Sequence, residues 1–176
     1  MLDIGLVRSA GKLKLVKRQG WVEAGVPVGK VESVADHCFR TALIVAFYRG
    51  AEVDTLRAVR MALVHDIGEA MVGDITPRSG VAREEKLRLE EEAVRALGSE
   101  EALALWREYA EGETPEARLV READVLEMLA QAREYEEAGH PRRALERFWE
   151  GWSREILSPG MRVVVRKLME ASDIVK

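Results

Sequence analysis

His65 and Asp66 set an imidazole and a carboxylate side by side, and Glu69 follows four residues after the first and three after the second. On a helix these separations bring the three groups toward one face. Such a trio can bind a divalent cation, move a proton, or do both. Just before it, Ala58, Val59, Met61, Ala62, Leu63 and Val64 leave only Arg60 polar, so the segment reads as a helix apolar almost all round and therefore buried. A carboxylate taken out of water without a partner is costly or is forced to take up a proton. A divalent metal would meet that need at Asp66. An arginine would also meet it, with His65 merely ending a helix.

The neighbours bear on that choice. Ser33-Val34-Ala35-Asp36 is a capping-box pattern that starts a helix, with His37 in its first turn. From Cys38 to Tyr48 only Arg40 and Thr41 are strongly polar, so this helix is also buried on most sides. Asp124 sits alone in the apolar run of Leu119, Val120, Ala123, Val125, Leu126, Met128, Leu129 and Ala130. Three buried helices therefore each carry an isolated group able to ligate a metal. A mixed set of His37, His65, Asp66 and Asp124 suits a divalent ion such as Mn, Co, Fe or Zn, and its carboxylates also admit Mg. With four protein ligands, an octahedral ion would keep open positions for water and a substrate oxygen.

Two further stretches bear on chemistry. Gly73-Asp74-Ile75-Thr76-Pro77 is turn chemistry, and it brings Asp74 close to Glu69. Asp74 is either a turn residue or a second carboxylate available for acid catalysis. Residues 17–32 read as one long loop, punctuated by Gly20, Gly25, Pro27 and Gly29. Within it Arg18 offers a phosphate fork and Trp21 a flat stacking surface, a pairing that suits a nucleotide. The competing reading is a surface arginine and a tryptophan that anchors the loop to the core.

The elements that must position these groups are helical. Periodicity predicts a helix over Leu2–Val16, one from Ser33 to Tyr48, and one capped by Asp54 that runs through the His-Asp pair to Gly68 or Gly73. Others follow over Arg83–Leu97, from a Ser99 cap to Tyr109, over Pro115–Glu137, around Ala144–Trp152 and over Met161–Ala171. No stretch alternates as a strand does, so the expected fold is all-α, a single domain over residues 1–176.

Composition narrows the partners. With 31 acidic against 27 basic residues the net charge is −4, which gives no electrostatic footprint for a nucleic-acid polymer. The single cysteine, Cys38, excludes an internal disulfide, and no segment reads as a signal peptide or a membrane span, so the cytoplasm is the expected compartment.

Taken together, a His, then His-Asp, then a distant Asp on successive helices resembles the HD-domain superfamily of metal-dependent phosphohydrolases, and more closely its 5′-deoxynucleotidase family. The similarity is carried by Leu13-Lys14, Arg18, Gly20-Trp21-Val22, Glu32-Ser33-Val34, Asp36-His37, Ala62 to Asp66 and Glu69. It continues through Gly73-Asp74-Ile75, Pro77, Glu84-Glu85-Lys86, Leu105-Trp106, Glu108-Tyr109, Ala123-Asp124 and Glu134-Tyr135-Glu136.

The resemblance implies an HD-type helical fold, with His37, His65, Asp66 and Asp124 as metal ligands. It further implies that Arg18 orients the phosphate, that Glu69 and Asp74 serve the chemistry, and that Trp21, Asp74, Ile75, Thr76 and Pro77 line the nucleotide site. The implied substrate is a deoxyribonucleoside 5′-monophosphate and the implied assembly a homodimer. The tryptophan-bearing later helices, with Trp106, Trp149 and Trp152, also point toward a dimer. In some members a tryptophan directly follows the loop arginine, whereas here Gln19 does. Alternatives at this level are hydrolysis of a cyclic nucleotide, a nucleoside triphosphate or an alarmone, and a nucleotide-binding protein whose metal is only structural.

Overall fold

Residues 3–50 and 52–170 are described in the computed structural model of the chain, and several of its helices begin at a side chain that caps them. Asp3 accepts the Gly5 N–H at 2.6 Å to open α1 (Ile4–Leu13). Ser33 and Asp36 form the expected reciprocal capping box at the start of α3 (Val34–Phe47), after the short α2 (Gln19–Glu23). Asp54 caps α4 (Thr55–Val64), and α5 (Glu69–Val72) and α6 (Arg83–Ala96) follow. Ser99 caps α7 (Glu100–Glu111), while Thr114, with Pro115 in the first turn, caps α8 (Pro115–Glu137). The chain closes with α9 (Arg142–Trp149), α10 (Trp152–Glu155) and α11 (Pro159–Glu170). Among the described residues the β pairing is confined to an isolated antiparallel bridge between Lys17 and Ser33.

Three differences from the sequence expectations matter for the site. The segment 17–32 is not one irregular loop, because α2 and a 3-10 turn (Val28–Lys30) interrupt it. Backbone bonds from Arg18 N–H to Glu32 O (3.2 Å) and from Val34 N–H to Val16 O (2.9 Å) pin its ends together. Nor does a single helix run through the His-Asp pair. After Val64 the chain tightens into three-residue bonds, Ile67 N–H to Val64 O and Glu69 N–H to Asp66 O, both at 3.0 Å, before α5 begins. The apolar α4 is also not buried all round, since Ala58, Met61 and Ala62 are fully covered while Leu63 is 47% exposed. The outer ends predicted at Leu2 and Ala171 lie outside the described residues.

The core is built where α3, α4 and α8 pack on one another, with α7 and α11 closing its sides. Val34, Val45, Ala58, Met61, Val120, Ala123 and Leu129 interlock there, joined by Trp106 from α7 and Met161 and Val165 from α11. A smaller apolar cluster gathers Trp21, Val31, Ala132, Tyr135 and Leu145 around α2 and α9. Trp106 is buried, and Trp149 and Trp152 are half-buried against this packing. Embedded in the same interior are four ionisable side chains, His37, His65, Glu69 and Glu127, each no more than 1% exposed. Buried polar groups at that density need partners, which directs attention to the place where they meet.

Candidate metal centre and active-site cavity

The capping box at Ser33 fixes the first turn of α3 and with it His37, one turn in. The tight turn after α4 puts His65 and Asp66 opposite it, and α8 brings Asp124 from the third side. The Nε2 atoms of His37 and His65 stand 3.3 Å apart. Asp124 Oδ1 lies 3.1 Å from His37 Nε2, and Asp66 Oδ2 lies 3.7 Å from His37 Nε2 and 3.3 Å from His65 Nε2. Ligand atoms of His37, His65 and Asp124 all fall within 4.8 Å of one another, and those of Cys38, His65 and Asp66 do likewise.

The far side of each ring explains the orientation. His37 Nδ1 pairs with Glu127 Oε2 at 2.5 Å, and His65 Nδ1 donates to the Ala62 carbonyl at 2.8 Å. With Nδ1 carrying the proton in both rings, two Nε2 lone pairs point at each other between two carboxylates. That is a donor set made for a divalent ion, and the outer partners are the kind that fix metal-binding histidines. The surrounding charges favour a cation at this place, so an ion competes there with protons. Burial and Arg18 oppose a charge on His37, but its bonds to Asp124 and Glu127 raise the ring to about 9, and, against burial, Asp66 raises His65 well above its ordinary value. Burial works against ionisation of Asp124, but the bond to His37 outweighs it and holds the carboxyl at about 2. Asp66 is likewise kept far below the usual carboxylate range, with His65 and Arg18 overcoming its burial.

The remaining sequence candidates surround this centre. Arg18 reaches Asp66 Oδ2 at 3.2 Å with its side chain 19% exposed. Glu69 is 1% exposed, and its Oε2 has no hydrogen-bond partner among the described residues. Burial raises the Glu69 carboxyl well above its ordinary range, and Asp66 and Asp74 add to that, against the opposing charges of Arg18 and Lys86. Asp74 Oδ2 accepts the Gln19 N–H at 2.6 Å, and Thr76 Oγ1 donates to Glu23 at 2.5 Å. These two bonds strap the 73–77 turn onto α2. Gly73, at φ +78, makes the sharp exit from α5 that the strap requires.

Arg18, Glu23, Glu69, Asp74 and Thr76 border one cavity of about 660 Å³, within the range of small-molecule sites. His65, Asp66 and Asp124 lie on its wall beside Arg18, Glu69 and the 74–77 turn, with Val125, Met128 and Phe148 supplying apolar surface. Trp21 borders it as well but is only 2% exposed. Its ring packs 4.0 Å from Phe148 and 5.3 Å from Tyr135, and its Nε1 donates to Glu32 at 2.8 Å. The tryptophan thus anchors the segment and offers no free stacking face, a correction to the sequence expectation.

Several participants received no role from the sequence. Glu127 and Arg40 sit three residues after Asp124 and His37 on the same helix faces, a spacing that could have revealed them. Arg40 then joins Glu127, Gln131 and Glu134 of α8 at 2.9, 2.7 and 2.5 Å. Tyr109, whose hydroxyl donates to Asp124 Oδ2 at 2.9 Å, and Lys86, 4.0 Å from Glu69, carry no such local signal.

Comparison with known proteins follows the same lines. The model of the HD domain family matches residues 10–159. The protein named 5′-deoxynucleotidase HDDC2 in Dictyostelium discoideum is 42% identical over 145 residues, covering 74% of this chain and 75% of that protein. Its namesake in Bos taurus is 38% identical over 169 residues, covering 92% of this chain and 82% of that protein. A conserved hypothetical protein from Pyrococcus furiosus superposes with a TM-score of 0.78 at 32% identity, across 96% of this chain and 99% of that one.

Proposed function

This chain belongs to the HD-domain family, and on that footing we propose that it is a divalent-metal-dependent phosphohydrolase of deoxyribonucleoside 5′-monophosphates. The observation that carries the reading is the pair of facing Nε2 atoms, 3.3 Å apart between Asp66 and Asp124, with His65 and both carboxylates on the wall of a cavity that also holds Arg18 and Glu69.

In this reading His37, His65, Asp66 and Asp124 hold the ion, whose chemistry is Lewis-acid polarisation of the phosphoryl group and activation of water. The two-histidine, two-carboxylate set suits Mn, Co, Fe or Zn and admits Mg. Arg18 turns its planar fork from Asp66 to the non-bridging phosphate oxygens and stabilises the charge they gather in the transition state. The water oxygen bonds to phosphorus as the bond from phosphorus to the 5′-oxygen breaks. One water proton is carried to the departing 5′-oxygen, so that nucleoside and inorganic phosphate leave.

Glu69 is assigned to that proton, because its Oε2 is buried beside the reacting groups and unpartnered. Asp74, with one oxygen taken by Gln19, places the 74–77 turn against the substrate. Ile75, Thr76 and Pro77 then shape the nucleotide pocket, and buried Trp21 supports it from behind.

Assembly as a homodimer belongs to the same proposal, and beside the half-buried Trp149 and Trp152 the chain offers a second apolar surface on α3. Phe39, Leu43 and Phe47 succeed one another at four-residue spacing on α3 and are 65%, 45% and 71% exposed, an apolar row that a second copy would cover. A dimer that dissociates in the Phe39→Glu, Phe47→Glu double variant is the expected sedimentation result. Among the described residues no helix is long and apolar enough to cross a membrane, and the buried, free Cys38 suits the proposed cytoplasmic setting.

The test is phosphate release from a panel of deoxy- and ribonucleoside 5′-monophosphates with Mn(II), Co(II), Mg(II) or chelator. Turnover of deoxynucleotides that chelation abolishes is expected. No release with any metal would remove the reading, and preference for a cyclic nucleotide or a triphosphate would redirect it.

A further inference from the structure

Glu69 is positioned by more than its own helix turn. Among the described residues its one ion-pair contact within 4.0 Å is Lys86 Nζ, which reaches over from the first turn of α6. The same ammonium lies 3.4 Å from Glu90 Oε1 one helical turn further along α6, so it bridges the two carboxylates. Lys86, Glu69 and Glu90 all border the cavity, and the lysine is only one-third exposed.

The approach of α6 that permits this bridge has a backbone cause. Gly68 lies so near α6 that a Cβ there would come within 3.0 Å of the Glu90 carbonyl oxygen and 3.3 Å of Val94 Cγ2. A larger residue would hold the lysine away from Glu69.

We propose that Lys86 is a positioning residue for the hydrolysis, whose ammonium, tethered by Glu90, holds the Glu69 carboxylate in place for the reacting water. The inference rests on the assignment of the proton-handling role to Glu69. Its physical basis is the crowding of acids. Glu69 shares the cavity wall with Asp66, Asp74 and Glu90, and among the described residues Lys86 is the cation that comes within 4.0 Å of it. Arg18 is already paired with Asp66 at 3.2 Å and, in the proposed reaction, serves the phosphate. Lys86 is then the cation that remains for Glu69. A plain intrahelical pair with Glu90 would account for one of its contacts and leave the second, across the helix gap, without a purpose.

The experiment compares Lys86→Met, Lys86→Arg, Glu69→Gln and the Glu69→Gln, Lys86→Met double variant, each loaded with Mn(II) and assayed on deoxyadenosine 5′-monophosphate. Lys86→Met is expected to lower kcat by about 10- to 100-fold, the scale typical of outer partners of functional groups. Its KM and metal content should stay close to the parent's, and Lys86→Arg should restore most of the rate. Because Lys86 acts through Glu69, the double variant should be no slower than Glu69→Gln alone.

Multiplying losses in the double variant, a raised KM at unchanged kcat, or full turnover in Lys86→Met beside a slow Glu69→Gln would each overturn the inference while leaving the role of Glu69 standing. Full turnover in Glu69→Gln would instead remove that role, and this inference with it.

Discussion

His37 and His65 present their Nε2 atoms to each other across 3.3 Å while the opposite nitrogen of each ring is already bonded, to Glu127 in one case and to the Ala62 carbonyl in the other. The backbone partner of His65 cannot be mutated, but Glu127 can. Glu127→Gln removes the acceptor charge that fixes the His37 tautomer, while Arg40 keeps Gln131 and Glu134 as partners. Metal affinity should weaken by about 10- to 100-fold with the helical fold retained. Calorimetric titration of the chelated protein with Co(II) measures this, and an unchanged dissociation constant would show that His37 needs no such orientation.

Trp21 separates anchoring from substrate stacking. Trp21→Ala empties a buried site between Tyr135 and Phe148 and should cost about 3–5 kcal/mol of stability. Trp21→Phe retains the ring packing and loses the bond to Glu32, at about 1 kcal/mol, and should leave KM for the nucleotide unchanged. Thermal unfolding and steady-state kinetics on the two variants read both quantities. A raised KM in Trp21→Phe at unchanged stability would return the ring to the substrate.

Gly68→Ala is expected to destabilise even though alanine favours a helix. The backbone there is ordinary right-handed helix, so alanine's propensity contributes about 0.5–1 kcal/mol in its favour. Against this stands a Cβ 3.0 Å from a backbone carbonyl, and overpacking of that sort costs about 1–3 kcal/mol. A lower midpoint in urea, accompanied by slower turnover as α6 and Lys86 are displaced, is the expected result. A higher midpoint would mean that α6 yields freely.

Much of this architecture is legible in residue types alone. The capping residues Ser33, Asp54, Ser99 and Thr114 act locally, so their side chains announce helix starts within a few positions. Periodicity exposes a buried carboxylate such as Asp124 because it interrupts an apolar run. The break after Val64 is hidden, since its tightened backbone bonds leave no mark in residue type, and the segment 66–72 has the apolar content of a continuing helix. Contacts between distant segments, such as Lys86 with Glu69 or Asp74 with Gln19, depend on how the helices pack. Trp21 shows the same limit: its residue type allows either role, and burial against Tyr135 and Phe148, far away in sequence, decides between them.

The central claim is that one divalent ion, held by His37, His65, Asp66 and Asp124, drives hydrolysis of deoxynucleoside monophosphates. The most direct measurement is a titration of Mn(II) into chelated protein, with bound metal and phosphate release from deoxyadenosine 5′-monophosphate followed on the same samples, for the parent and for Asp66→Ala. Phosphate release should rise with bound metal and level off near one ion per chain. Asp66→Ala should bind metal far more weakly and remain inactive over the same range. Undiminished turnover in the chelated parent, or an Asp66→Ala protein that binds metal and turns over as the parent does, would contradict the account.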